Sequence, residues 1–338
     1  MNPLGLLLLL LLFAVGWWLD RPLMAASWLG AWWFCSGLVL GAAALARIHR
    51  FTGGTWGEVL RPAIWRLGTA MPRLLLLFLP LLALLHALYP WLRQPPAGGF
   101  AKAWFAPAFV ALRFAAYGIG CWWLARAPMR DSDGSGRAAL WLLAWMLGGT
   151  LASADLLMSL VPGWASTVFG WLALVGQMTG GMAAAVLLTA RRTTRAPWRD
   201  LGNLLLMFVL LQAYLQYMQF LIIWAENLPH EIAWFLPRLQ SGWRWGGLAL
   251  IVGQFALPLL ALLWRINKDR PWRLAMIAAG LLAMQAFGTA WLVIPSVQAQ
   301  GYAAWWMLPL AFGGMGFAAF GPARAWRRVT REAARGRS

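Results

Sequence analysis

Ten apolar runs follow one another along this chain, with only short basic segments between them, at 3–19, 23–46, 74–92, 104–125, 138–161, 165–190, 201–224, 243–264, 274–294 and 303–322. An α-helix rises 1.5 Å per residue, so about 20 apolar residues cross a hydrocarbon layer of about 30 Å. Within that layer only a helix or a closed barrel satisfies its own backbone, and runs of this length are helical. The spacing therefore predicts an all-α polytopic membrane protein of about ten transmembrane helices, with no soluble domain between them. With 62% hydrophobic and 11% charged residues, the composition excludes a soluble globular domain. The first run has neither a basic segment before it nor a small-residue cleavage site after it, and reads as a retained helix rather than a signal peptide.

A net charge of +18 suggests a nucleic-acid binder, but the placement of the charges argues otherwise. Twenty-two of the 28 Lys and Arg residues fall in segments 47–73, 126–137, 191–200 and 265–273 and in the tail after 322. The alternate connections hold only Arg21, Arg93, Lys102, Arg238 and Arg244. Such a bias sets membrane orientation and places both termini on the cytoplasmic side. Segment 47–73, with Trp56, Trp65 and its arginines, reads as an interfacial amphipathic stretch. Tryptophans near span ends, Trp104 and Trp164 among them, read as an aromatic belt. Cys35 and Cys121 sit in apolar runs and read as packing residues. Two cysteines and three histidines, of which only His86 lies in a span, supply neither an iron–sulfur cluster nor a pair of transmembrane haems. No metal site is expected, and any electron carrier belongs to a partner.

Polar groups at membrane depth are the functional candidates. Asp155 lies in the fifth span, about 9 Å from its outer end. His86 in the third span and Arg113 in the fourth fall at similar depth. Two readings stand side by side: an Arg113–Asp155 ion pair that pins two helices, or an outward-facing pocket in which His86 and Asp155 accept protons from a bound ligand. In the seventh span Gln212, Gln216, Gln219 and Glu226 share a face about 80° wide. That stripe is either interhelical glue or a proton path. Gln254 and Gln285 read as packing amides, and His49 and His230 as solvated loop residues. Small residues Gly148, Ala152, Asp155 and Ser159, followed by Ser166, Gly170, Ala173, Gln177 and Gly181, suggest that spans five and six form a close-packed hairpin.

Two passages carry a family resemblance. ASADLLMSLVPGWASTVFG, through Asp155, Met158, Ser159, Leu160, Pro162, Trp164, Ser166, Thr167, Phe169 and Gly170, resembles a passage of the ActF-type membrane subunit of alternative complex III. YMQFLIIWAENLPHEIAWFLPRLQSGW is similar to a second passage of that family through Gln219, Leu221, Ile223, Trp224, Asn227, Pro229 and Glu231, with Arg238 and Trp243 downstream. The family belongs to the NrfD/PsrC-like superfamily. The resemblance implies two four-helix bundles, about 23–161 and 165–294, with flanking helices 3–19 and 303–322. It also implies a subunit of a quinol:cytochrome c oxidoreductase in the bacterial inner membrane. Its partners would be an iron–sulfur subunit, c-type cytochrome subunits, a paralogous NrfD-like membrane subunit and, at the end of the electron path, a terminal oxidase. Haem c and iron–sulfur clusters would reside in those partners, with quinone or quinol as the ligand. Asp155 and Glu231 carry over by motif, whereas His86 and Arg113 rest on depth alone.

The expected function is thus a membrane subunit that binds quinol near the outer surface, with Asp155 and His86 as proton acceptors. Arg113, Gln177, Gln219, Trp224, Glu226 and Glu231 would contact the ligand. In a weaker form the chain is a structural paralogue with a proton path through Gln212, Gln216, Gln219 and Glu226. A secondary transporter with a polar site between two bundles is the alternative from another class. A lipid-linked transferase ranks last, because Glu226 and Glu231, five residues apart, are the only carboxylate pair available in an outer loop.

Overall fold

The computed structural model describes residues 1–96, 98–126, 134–193, 196–300 and 305–321. Every regular element among them is a helix: α1 (Pro3–Leu19), α2 (Arg21–Thr52), α3 (Thr55–Gly68), α4 (Met71–Leu88), α5 (Pro90–Arg93), α6 (Gly99–Trp104), α7 (Pro107–Arg126), α8 (Ser135–Leu156), α9 (Phe169–Ala190), α10 (Trp198–Glu226), α11 (Pro229–Ile232), α12 (Leu236–Leu239), α13 (Trp243–Leu250), α14 (Leu257–Leu263), α15 (Arg265–Asp269), α16 (Pro271–Val297) and α17 (Met307–Phe320). A π-helical segment, Ile251–Ala256, joins α13 to α14 as one continuous rod. Among the described residues eight helices are long and apolar enough to cross a membrane, and the protein is a multi-pass membrane protein. The runs expected to be the first and tenth spans form the shorter apolar helices α1 and α17, of 17 and 14 residues. Arg130, Arg195, residues 303–304 and the six basic residues of the tail lie outside the described residues.

Burial sorts the helices. From Ala173 to Val186 every residue of α9 is buried, and α2 is buried almost throughout from Leu23 to Leu45. A helix apolar all round belongs in a core, and these two form it. They meet at glycine: a Cβ at Gly41 would come 1.9 Å from the Gln177 carbonyl oxygen, and one at Gly181 would come 2.3 Å from the Ala42 nitrogen. Only glycine permits such an approach. The small face of α9 thus serves α2, whereas the expected hairpin with α8 closes through Gly170 against Thr150 and Gly149 against Leu174. Gly148, expected on that ridge, faces open space. Around this pair, α4 and α7 pack on α2, α8 and α16 pack on both α2 and α9, and α10 packs on α9, while α13–α14 lies against α10 and α16. The short helices α1 and α17 pack on each other and against α2.

Segment 47–73 has the expected amphipathic form. In α3 the buried positions Gly57, Leu60, Ala63, Ile64 and Leu67 recur at helical spacing, while Glu58, Arg61, Trp65 and Arg66 are exposed. His49 differs from its expected place in a solvated loop. It occupies the last turn of α2, is hydrogen-bonded to the Gly54 carbonyl at 2.7 Å and lies edge-on to Trp56. At the opposite end, α10 stops at Asn227, whose left-handed backbone (φ 50°) sends its N–H back to the Ile223 carbonyl. Pro229 then prevents continuation.

Candidate functional site

Two polar sites lie within the helices, and they differ in kind. The first is built on Asp155, in the last turn of α8, where Ser159 Oγ donates to its backbone carbonyl at 2.6 Å. Its carboxylate receives four donors, two on each oxygen. Trp104 Nε1 (3.1 Å) and Arg113 Nη2 (3.2 Å) reach Oδ1, and Arg113 Nε (2.7 Å) and Tyr117 Oη (2.6 Å) reach Oδ2. An ionised carboxylate offers about four lone-pair sites, so no acceptor position is left vacant. The guanidinium of Arg113 also donates to the Trp104 carbonyl at 2.7 Å and lies 4.1 Å from the Trp104 ring. Both charges are buried. Tyr89 adds a bond from the end of α4 to the Leu156 carbonyl at 2.9 Å. The cluster ties α4, α6, α7 and α8 together.

His86 stands apart from it. The buried positions of α4 are Met71, Leu74, Leu77, Leu81, Leu84 and Leu88. At 100° per residue, His86 points about 160° from both Leu84 and Leu88, and its side chain is exposed. Similar depth on neighbouring helices does not bring two side chains together unless helix phase agrees. The expected His86–Asp155 pair of proton acceptors is therefore corrected: His86 turns outward, and Asp155 is enclosed by donors.

The second site is a cavity of about 810 Å³ among α2, α9, α10, α13, the π segment and α16. Gln212 Nε2 donates to Gln285 Oε1 at 3.1 Å, and Gln254 Nε2 donates to Gln285 Oε1 at 2.8 Å and to Gln212 Oε1 at 3.3 Å. On the facing wall Gln177 accepts the Trp145 indole N–H at 3.2 Å. Gln219 completes the amide lining. The Oε1 atoms of Gln219 and Gln254 are buried and lack a hydrogen-bond donor among the described residues. A buried amide oxygen left this way costs about 1–3 kcal/mol, which a ligand hydroxyl would offset. Most of the remaining wall is apolar or aromatic, including Phe34, Leu172, Phe220 and Phe255.

The π segment explains how Gln254 enters this cluster. Leu250, Gln254, Pro258 and Leu262 are all buried, four residues apart. A regular α-helix would drift about 120° across those three steps. The wider π turn takes up that drift and keeps all four on the inner face. At the mouth, Arg238 is wholly buried, donates to the Trp234 carbonyl, to the Leu292 carbonyl at 2.5 Å and to Ser296 Oγ at 2.6 Å, and stacks 3.5 Å from the Trp234 ring. Among the described residues no carboxylate pairs with it. Burial lowers its pKa, and the two carbonyls, Ser296 Oγ and the Trp234 ring hold the guanidinium in place.

The polar stripe of α10 is shorter than expected. Gln212 and Gln219 are buried and Gln216 is exposed at the cavity edge, but Glu226 and Trp224 are exposed outside the lining. Glu231 is half-buried outside the cavity, with one carboxylate oxygen buried and without a donor among the described residues. Of the expected ligand contacts, Gln177 and Gln219 line the cavity, Arg113 belongs to the closed cluster, and Trp224, Glu226 and Glu231 line neither. Glu226 keeps the helix face of Gln219 but lies about two turns further on, at the exposed end of α10 and outside the cavity lining.

The structure adds Gln254, Gln285 and Arg238 to the cavity, and Trp104 and Tyr117 to the Asp155 cluster. Tyr117 was within reach of sequence reasoning, because it lies four residues after Arg113 on one helix face. Trp104, assigned to the aromatic belt, carried no such signal. Among the described residues no group of three His, Cys, Asp or Glu side chains is arranged to hold a metal. No family model matches the chain, and no curated protein matches it.

Proposed function

We propose that the chain is a membrane subunit of a quinol:cytochrome c oxidoreductase of the alternative complex III type, and that the amide cavity is its quinone site. One observation carries this reading: side-chain amides from α9, α10, α16 and the π segment converge in a cavity with largely apolar walls. Amide N–H groups suit the carbonyls of a quinone. The undonated oxygens of Gln219 and Gln254 suit the O–H groups of a quinol. Phe220, Phe255 and their neighbours suit its ring and isoprenoid tail.

Oxidation of a quinol releases two electrons and two protons. Among the described residues the cavity lining contains no carboxylate and no histidine, and glutamine does not accept protons at neutral pH. The chain therefore binds and orients the quinol, and a base on a partner subunit takes the protons. Electrons pass to an iron–sulfur partner and onward to c-type cytochromes. Asp155 and Arg113 brace the helices and take no part in proton transfer. The assembly resides in a bacterial inner membrane.

Purification in mild detergent tests the assignment, using a reduced-minus-oxidised spectrum, subunit mass spectrometry and extraction of bound quinone. The expected outcome is a c-type haem signal, a co-purifying iron–sulfur subunit and bound quinone that the Gln254→Leu and Gln285→Leu variants lack. A colourless single-subunit preparation without quinone would overturn it. A secondary transporter is then the reading to pursue, favoured by the π-helical interruption of a span beside a polar cavity. Solute uptake in liposomes tests that alternative.

A further inference from the structure

A larger cavity, of about 1330 Å³, opens where α2, α3, α9 and α17 meet, and it brings the basic segments 47–73 and 191–200 to one end of the protein. Arg47, Arg50, Arg66, Arg73, Arg191 and Arg192 line it, and Glu58 is the only carboxylate among its described lining residues. Its other wall is apolar, formed by Leu187, Leu282, Phe312 and Phe317. Along α17, a Cβ at Gly313 or Gly316 would meet no described residue within 4 Å. Phe317 and Trp65, both on the lining, are each 50% exposed.

We propose that this cavity binds the phosphate headgroup of an anionic phospholipid, with an acyl chain laid along the glycine face of α17. Guanidinium groups engage phosphate oxygens in pairs and hold charge at any physiological pH. The amphipathic α3 forms part of the wall, which sets the arginines at the depth of the headgroups. Basic pockets between membrane helices recognise such headgroups. An isolated inorganic phosphate would use the arginines alone; the open groove beside Gly313 and Gly316 suits an amphiphile. This site is separate from the amide cavity and does not depend on its ligand.

Native mass spectrometry of the full chain in detergent tests the proposal, with phosphatidylglycerol, phosphatidylcholine and pyrophosphate as probes. Phosphatidylglycerol is expected to bind in preference to phosphatidylcholine. Replacing three exposed arginines together (Arg66→Gln, Arg191→Gln, Arg192→Gln) should weaken phosphatidylglycerol about a hundredfold, each charge near an anionic headgroup being worth roughly a factor of five. The matching lysine variant keeps the charge and should keep the preference, which separates lost binding from lost folding. Gly316→Leu should weaken the lipid and leave pyrophosphate unaffected. Unchanged phosphatidylglycerol binding in the glutamine variant, or lost preference in a folded lysine variant, would overturn the proposal. Strong pyrophosphate binding combined with indifference of the lipid to Gly316→Leu would assign the site to a soluble phosphate instead.

Discussion

The Arg113–Asp155 cluster and the amide cavity solve the same problem in opposite ways. Each places polar groups where water is scarce. The cluster uses full charges and saturates them: four donors surround one carboxylate, and the guanidinium lies against an indole ring. The cavity uses neutral amides and leaves two of their oxygens without donors among the described residues, beside an open volume. Saturated charge braces helices, because any rearrangement would strand an ion. Unsaturated neutral groups can exchange partners at little cost, which is the requirement for a ligand that comes and goes.

The largest effect should come from breaking the cluster. Arg113→Ala strands a buried carboxylate and should destabilise the protein by about 3–5 kcal/mol, read as a drop in thermal midpoint in detergent. Replacing both partners, Arg113→Met with Asp155→Leu, should recover part of that loss because neither charge remains. If Asp155→Asn instead kept full stability and abolished quinol turnover, the contrast between brace and binding site would fail.

Leu38 lines both the amide cavity and the arginine-lined cavity. Leu38→Ala should join them, at a cost near the lower end of the range for such truncations, about 2 kcal/mol. Reconstituted protein should then leak protons more than the parent, measured with a pH-sensitive dye in liposomes. Gln254→Leu should cost only about 0.6 kcal/mol of stability, a typical value for a hydrogen bond between membrane helices. It should nevertheless lower quinone affinity about tenfold, measured by ligand titration.

The smallest effect should come from a charge pair outside both sites. Arg199 holds the Asp269 carboxylate through two hydrogen bonds, which, with the charge of the guanidinium, lower its pKa. A lowered folded pKa contributes stability above the unfolded value of about 3.9. That contribution disappears as pH falls through the folded value. Asp269→Asn should therefore melt slightly below the parent from pH 5 to 8, with the gap closing under more acidic conditions.

Apolar run length and arginine placement were enough to predict a helical membrane protein and to locate most helices within a few residues, because hydrocarbon demands about twenty apolar residues per crossing whatever the packing. The two terminal runs form the shorter helices Pro3–Leu19 and Met307–Phe320, which pair with each other. The partnership of Arg113 with Asp155 was also legible, as one of two readings, since opposite charges at equal depth have few alternatives in a membrane. The orientation of His86 was accessible in principle from the leucine spacing of α4, but depth alone concealed it.

The amide cavity was not legible. Gln212, Gln254 and Gln285 are 42 and 31 residues apart in the chain, and each alone looks like a packing amide. Their convergence depends on a π turn that no local residue announces and on Gly176 of α9, where a Cβ would come 2.7 Å from Gln285 Nε2. Which helices exist follows from local free energy of transfer, residue by residue. Which polar faces meet follows from helix phase and interhelical distance, properties of the whole packing that no single segment contains.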